Sequence, residues 1–237
     1  MLKPQPQRFT SRAVTLALAA FFCAGTLIVA VAAQRNAGRA RLPAPEVVSI
    51  AAARALPPGA LVTIEGSVTV PSGAFKSGTS DEGFAMQDGS GGIYVRTAAN
   101  LGLRVGRRVR VSGRLADSNG QLILVPARAS DVRARGRGTN IRAEAVSTGQ
   151  INEATEGRLV QVTGTITKPV GNDLPYGYRL FIDDGSGEIQ AFIYVSTGID
   201  VRGLQPGQRV GVTGFGGQYN DHYEIIPRFQ SDIRRTR

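Results

Sequence analysis

The sequence has one cysteine, one histidine and no tryptophan, and each scarcity removes a class of chemistry. The lone Cys23 lies inside an apolar N-terminal run, so the rest of the chain has no disulfide, no thiolate metal site and no thiol nucleophile. With His222 as the only histidine, His-pair metal sites and Cys–His pairs are excluded. A Ser–His–Asp triad would have to be built on His222, and the Gly-x-Ser-x-Gly elbow that commonly positions such a serine is missing. No catalytic constellation is left, and a non-enzymatic protein is expected. Lysine is nearly absent too, with Lys3, Lys76 and Lys168 only. Arginine supplies the remaining basic charge, and the formal net charge is +10. Such a bias reflects genomic composition as readily as function, so the basic balance alone does not define a partner.

What is present begins with a targeting pattern. Lys3, Arg8 and Arg12 precede an uncharged stretch, residues 13–33, and leave a balance of +7 for the rest. A basic n-region followed by an apolar run, with small residues Val31-Ala32-Ala33 at its end, reads as a signal peptide. The run is also long enough to span a bilayer as an uncleaved anchor helix. The Phe21-Phe22-Cys23 context is a poor lipoprotein site. Cleaved or retained, the segment implies an extracytoplasmic protein, periplasmic or secreted, that meets the membrane only through residues 13–33. Residues 34–58, with Pro43, Pro45, Pro57 and Pro58, read as a tether in which Ser49–Ala55 forms one or two helical turns.

The remainder is an internal repeat. Leu61–Thr69 matches Leu159–Thr167, Phe84–Gly91 matches Leu180–Gly187, and Gly106–Gly113 matches Gly207–Gly214. Pro126 and Ser130–Arg133 match Pro227 and Ser231–Arg234 in the same order. Each copy reads as five short strands. In the first, Val62, Ile64, Val68 and Val70 alternate with polar residues, interrupted by Gly66, and Gly164 interrupts the second copy at the same point. A glycine there marks the bend that lets one strand pair on both sides of a small barrel. Asp-Gly-Ser-Gly then closes a tight hairpin between strands two and three in both copies. The pattern predicts an all-β protein of two tandem five-stranded OB-fold-like Greek-key barrels, at 59–137 and 156–237, joined by a linker at 138–155.

The glycine-bearing apolar strand, the apolar pair before Asp-Gly-Ser-Gly and the following Gly-x-x-Val-x-Val-x-Gly resemble OB-fold nucleic-acid-binding domains of secreted bacterial proteins. Domains of that kind are often appended to extracellular nucleases, so the resemblance implies a nucleic-acid partner and, for any nuclease system, an activity carried by another chain. The fold also hosts oligosaccharide and protein binding. An envelope adaptor for a protein or glycan, or an accessory subunit of a secreted nuclease, stand as alternatives to single-stranded nucleic acid or another polyanion.

The ligand face of such a barrel is expected on strands two and three with the flanking loops. Strand parity points Phe84, Met86, Ile93 and Val95 inward and Ala85, Gln87, Tyr94 and Arg96 outward. In the second copy Leu180, Ile182, Ile189 and Ala191 point in, leaving Arg179, Phe181, Gln190, Phe192 and Tyr194 out. The copies differ in content: eleven basic against six acidic residues over 60–137, nine of each over 156–237, and three aromatics against nine. One copy would supply charge through Lys76, Arg96, Arg108 and Arg110. The other would supply stacking surface through Phe181, Phe192, Tyr194, Tyr219 and Tyr223, a combination that suits single strands. Packing of the barrels against each other is the competing role for Phe181, Phe192 and Tyr194, and a solvated strand edge for Arg108 and Arg110. Asp183, Asp184 and Glu188 have oxygen ligands for a cation, but Asp-Gly turn chemistry explains both copies, and neither metal nor cofactor is expected.

Overall fold

The structure is a computed structural model in which residues 46–76 and 81–236 are described; the expected signal or anchor at 1–33 lies outside them. A short helix, α1 (Ile50–Arg54), precedes the first barrel. The barrel is built from β1 (Leu61–Val70), β2 (Phe84–Gln87), β3 (Gly92–Val95), β4 (Arg107–Ser118) and β5 (Gln121–Val125). The order is β1-β2-β3-β5-β4, and β4 returns to pair with β1. Only β3 and β5 run parallel; the other neighbours are antiparallel. This is the five-stranded closure of the OB-fold. Two strands, β6 (Val132–Arg137) and β7 (Glu144–Ala145), lead to the second barrel. That barrel comprises β8 (Leu159–Ile166), β9 (Gly171–Asp173), β10 (Gly177–Asp183), β11 (Ile189–Tyr194), β12 (Arg209–Tyr219) and β13 (His222–Ile226), followed by β14 (Ile233–Arg235). It closes in the same way, through a β12–β8 pairing and a parallel β11–β13 pair.

Gly66 performs the bend expected of it. Residues Leu61–Ser67 pair with β4, while Ser67–Val70 pair with β2. A Cβ at Gly66 would stand 2.7 Å from the Gln87 carbonyl oxygen, and one at Gly164 the same 2.7 Å from that of Asp183. Both copies therefore turn their first strand on a glycine because the end of the second strand passes directly over it.

The inward set is buried as parity predicts. Phe84, Met86, Ile93 and Val95 fill the first barrel with Ile64, Val109 and Leu124, and Leu180, Ile182, Ile189 and Ala191 fill the second with Val162, Val210 and Ile225. Burying one such side chain contributes about 1.5–3 kcal/mol.

The segments read as linkers do more than connect. Ile50 and Ala53 of α1 are fully buried in the first core, and Val48 bridges Ile64. The Ile50 and Ala51 N–H groups donate to Asp88 (2.9 Å) and Ser90 (3.0 Å) of the Asp-Gly-Ser-Gly turn. In the second copy the Thr148 and Gly149 N–H groups donate to Asp184 (3.1 Å) and Ser186 (2.9 Å) in the same way. The turn motif thus also holds the helical turn that enters each barrel, satisfying donors a helix start leaves open. Residues 46–58 and 144–155 belong to the barrels. The trace in sequence is Glu46-x-Val48-Ser49 against Glu144-x-Val146-Ser147.

The two barrels share a third apolar cluster. Val70, Phe75, Ala85, Tyr94 and Ile123 of the first barrel meet Phe215 and Ile226 of the second. Arg228, buried against Asp232 at 2.9 Å, donates across the junction to the Thr69 carbonyl at 2.7 Å. The Asn119-Gly120 and Asn220-Asp221 hairpins also meet, the Asn220 N–H donating to the Asn119 carbonyl at 2.6 Å. The described barrels form one compact unit.

Candidate functional site

The junction decides which barrel face stays open. Ala85 and Tyr94 point out of the first barrel as expected, yet both are buried, Tyr94 at 7% exposure. Phe215 meets the Tyr94 ring edge-on at 6.1 Å. Burial, with nearby Asp81, raises the Tyr94 phenol well above its ordinary pKa. Tyr94 is therefore removed from the ligand-contact set: the second barrel occupies the place where a ligand of the first would lie. Tyr194 is half-buried in the same seam, its ring stacked on Phe75 at 5.5 Å, and packing is its role too.

On the second barrel the equivalent face carries different residues. Across β10 and β11, Arg179 lies opposite Phe192, and Phe181 opposite Gln190. Inward Leu180, Ile182, Ala191 and Ile193 hold this tile in place by their burial. Arg179 is exposed, and Phe181, Gln190 and Phe192 are partly so. Lys168, from the loop after β8, places its ammonium 4.4 Å from the centre of the Phe181 ring, a cation–π distance. Its partner Glu188 is held below the ordinary carboxylate range by hydrogen bonds from Lys168 and Thr167. Phe192 meets the Tyr194 ring edge-on at 4.9 Å, which fixes its orientation. Aromatic faces beside cations suit stacking of bases with phosphates alongside.

Sequence reasoning missed Glu224 of β13. It is 5% exposed and accepts a hydrogen bond from Gln190 at 2.9 Å. Burial pushes its carboxyl up to about 7 despite that bond. Only the β11–β13 pairing, Gln190 opposite Glu224, places it beside the tile. The signal available was a Glu set between Tyr223 and the apolar Ile225-Ile226 pair of β13. Lys168 was also missed, although its cation lies over a predicted stacking residue.

The other predicted residues disperse. Lys76 pairs with Glu82 (2.5 Å) and Arg96 with Asp81 (3.3 Å) near the loop after β1. Tyr219 and His222 sit edge-to-face at 5.9 Å on the β12–β13 hairpin, and the Tyr223 hydroxyl donates to Glu153 at 3.1 Å. Arg108 and Arg110 lie on β4 of the first barrel, away from its strand-two and strand-three face, and both bind Glu65, at 2.5 and 2.8 Å. Of the three carboxylates with oxygen ligands for a cation, Asp183 and Asp184 serve the turn, Asp183 accepting from Gly185 (2.7 Å) and Asp184 from Ser186 and Thr148, while Glu188 accepts from Lys168 and Thr167.

No protein-family model matches the chain, and no curated protein does either. Solved structures do. The HIN2 domain of p202, in a tetrameric crystal structure, is 12% identical over 76% of this chain and 94% of its own, with a TM-score of 0.36. A murine DNA-binding protein bound to double-stranded DNA is 10% identical over 69% and 90%, with a TM-score of 0.38. An OBody bound to hen egg-white lysozyme is 17% identical over 41% and 98%, with a TM-score of 0.34. Likeness at this level assigns no ligand to this chain. The expected tie to secreted nucleases rests on the sequence resemblance alone.

Proposed function

We propose that the protein is a non-enzymatic, extracytoplasmic binding module whose second barrel takes single-stranded nucleic acid on the β10–β11 face. One observation carries the reading: Arg179, Phe181 and Phe192 lie side by side, with Lys168 over Phe181, on the part of the β10–β11 face beyond Tyr194, where Arg179 is exposed and the two rings are partly so. The basic n-region and apolar run at the N-terminus support export. Cations following phosphates beside aromatic faces that stack on any base give affinity with little sequence preference.

The test is fluorescence anisotropy of a labelled single-stranded oligonucleotide against the full chain at two salt concentrations. Micromolar or tighter binding that weakens with salt is expected, because phosphate contacts release counterions. Replacing Phe181 and Phe192 together by Ala should cost about 1–3 kcal/mol per lost stacked base. Affinity that survives this double change overturns the assignment of the face.

A further inference from the structure

The first barrel carries a charge arrangement that its own stability does not favour. Arg110 on β4 lies directly opposite Arg133 on β6, with Glu65 of β1 on its other side. Arg107 lies opposite Arg137 on the same two strands. Like charges placed opposite each other across a sheet are destabilising. Arg108 and Arg135 add to the same strands, and within β1, β6 and the first half of β4 Glu65 is the only acidic residue. Glu65 is already shared between Arg108 and Arg110. Burial raises its carboxyl, but the Arg110 and Arg108 contacts outweigh that and hold it below its ordinary pKa. Among the described residues Arg133 pairs with no carboxylate and donates to the nearby Ser130 carbonyl at 3.5 Å.

The second barrel shows that the frame does not require this. At the equivalent positions of β8, β12 and β14 stand Thr163, Gly211 and Arg234. One arginine there faces a glycine and a threonine where the first barrel sets two arginines beside a glutamate. A groove of about 740 Å³ runs beside the row, lined by Arg108, Arg110 and Arg137 together with the carboxylates Glu65 and Asp88, while Arg133 lies outside it on β6. Asp88 is engaged by the Ser90 and Gly91 N–H groups of its own turn, at 2.7 and 3.0 Å. Guanidinium forks along an open groove are matched to phosphate oxygens.

The geometry points to the β1–β4–β6 surface of the first barrel as a phosphodiester-binding track, with Arg110, Arg133 and Arg137 contacting successive phosphates of a nucleic-acid strand and Glu65 restraining its affinity. This extends the reading of the β10–β11 face but uses a different barrel, different residues and no bases. The inward valines Val109 and Val111 hold the track to the core, so its arginines can change without touching the packing.

An abasic deoxyribose-phosphate oligomer has nothing to stack, so the β10–β11 face can offer it only the cations Arg179 and Lys168, and the arginine variants below report on the track. It should bind the full chain at low salt. Replacing Arg110, Arg133 and Arg137 together by Gln should weaken it at least tenfold and flatten the salt dependence by about 2, at roughly 0.7 per phosphate contact on a single strand. Glu65→Gln should strengthen binding several-fold by releasing Arg108 and Arg110, and it decides the matter if the triple variant folds poorly. Phe181→Ala with Phe192→Ala should leave abasic binding unchanged. No binding of the abasic oligomer at low salt, binding indifferent to the arginine changes, or no gain in Glu65→Gln overturns the track. If bases add nothing to affinity while the arginine effects hold, the β10–β11 reading fails and the track stands.

Discussion

Gly92 of β3 and Gly157 ahead of β8 meet backbone to backbone across the junction of the two barrels. A Cβ on Gly92 would fall 1.9 Å from the Gly157 carbonyl oxygen, and one on Gly157 2.1 Å from that of Gly92. Gly157 also has φ of +81°, a conformation side chains rarely adopt. Around this contact Arg54 binds Glu153 and Glu156, each at 3.0 Å, and the Leu122 N–H donates to Glu156 at 3.2 Å. Gly92→Ala should therefore destabilise the protein by about 1–3 kcal/mol through overpacking. Gly157→Ala should lose more, because strain of about 1–2 kcal/mol adds to it. Urea denaturation of both single variants and the double should show coupling, since the residues touch. Additive losses would mean that the barrels relax apart freely.

Phe215 is the aromatic hub of the seam, 1% exposed and in contact with both Tyr94 and Phe75. Phe215→Ala should cost about 3–5 kcal/mol. Calorimetry should then resolve two thermal transitions where the intact junction gives one. A single, merely shifted transition would place the cooperativity elsewhere.

Glu224 makes stability depend on pH near neutrality. Its folded pKa, about 7, lies above the unfolded value near 4.5, so the folded state binds the proton more tightly. Stability should be greatest below about pH 4.5 with respect to this group and fall as pH rises to 7. At pH 8 the cost is about 3 kcal/mol, at 1.36 kcal/mol per pKa unit. Glu224→Gln should remove that slope and be the more stable protein at pH 8, read from urea midpoints at pH 5 and 8. An unchanged slope would show that Glu224 is solvated in solution.

Asp184 shifts in the opposite direction. Hydrogen bonds from Ser186 and Thr148 depress its carboxyl well below the ordinary value. Its contribution is present above the unfolded pKa and is lost as pH falls through the depressed one. Asp184→Ala should expose the Thr148 amide to rapid hydrogen exchange, as Asp88→Ala should that of Ile50. Protection that persists in both would remove the turn motif from its docking role.

At the proposed interface, Arg179→Gln should lower the salt slope of oligonucleotide binding by about 0.7, the value of one single-strand phosphate contact. An unaltered slope would place Arg179 off the strand.

The repeat, the bent glycine strands and the inward sets were legible because each is a local pattern: period-two alternation, Asp-Gly turns and glycine where backbones cross. The entering helical turns were less so. Their tie to Asp88 and Asp184 spans 38 and 36 residues, and nothing in Val48-Ser49 or Val146-Ser147 announces the partner. Of the expected stacking set, Phe181 and Phe192 share the open face, whereas Tyr94 and Tyr194 went into the seam. Parity places a side chain on a face but does not say what covers that face. Arg108 and Arg110 were visible as charge, but not the Arg133 that the β4–β6 register sets opposite Arg110.

The sequence by itself determined two closed barrels, their strands and which side chains fill each, because those follow from short-range periodicity and backbone sterics. Only the tertiary structure decided which barrel keeps an open face. That outcome depends on Phe215, Ile226 and Arg228 reaching Tyr94, Ile123 and Thr69, residues roughly a hundred or more positions away. Burial between such distant residues is a property of shape and area, and no local pattern encodes it.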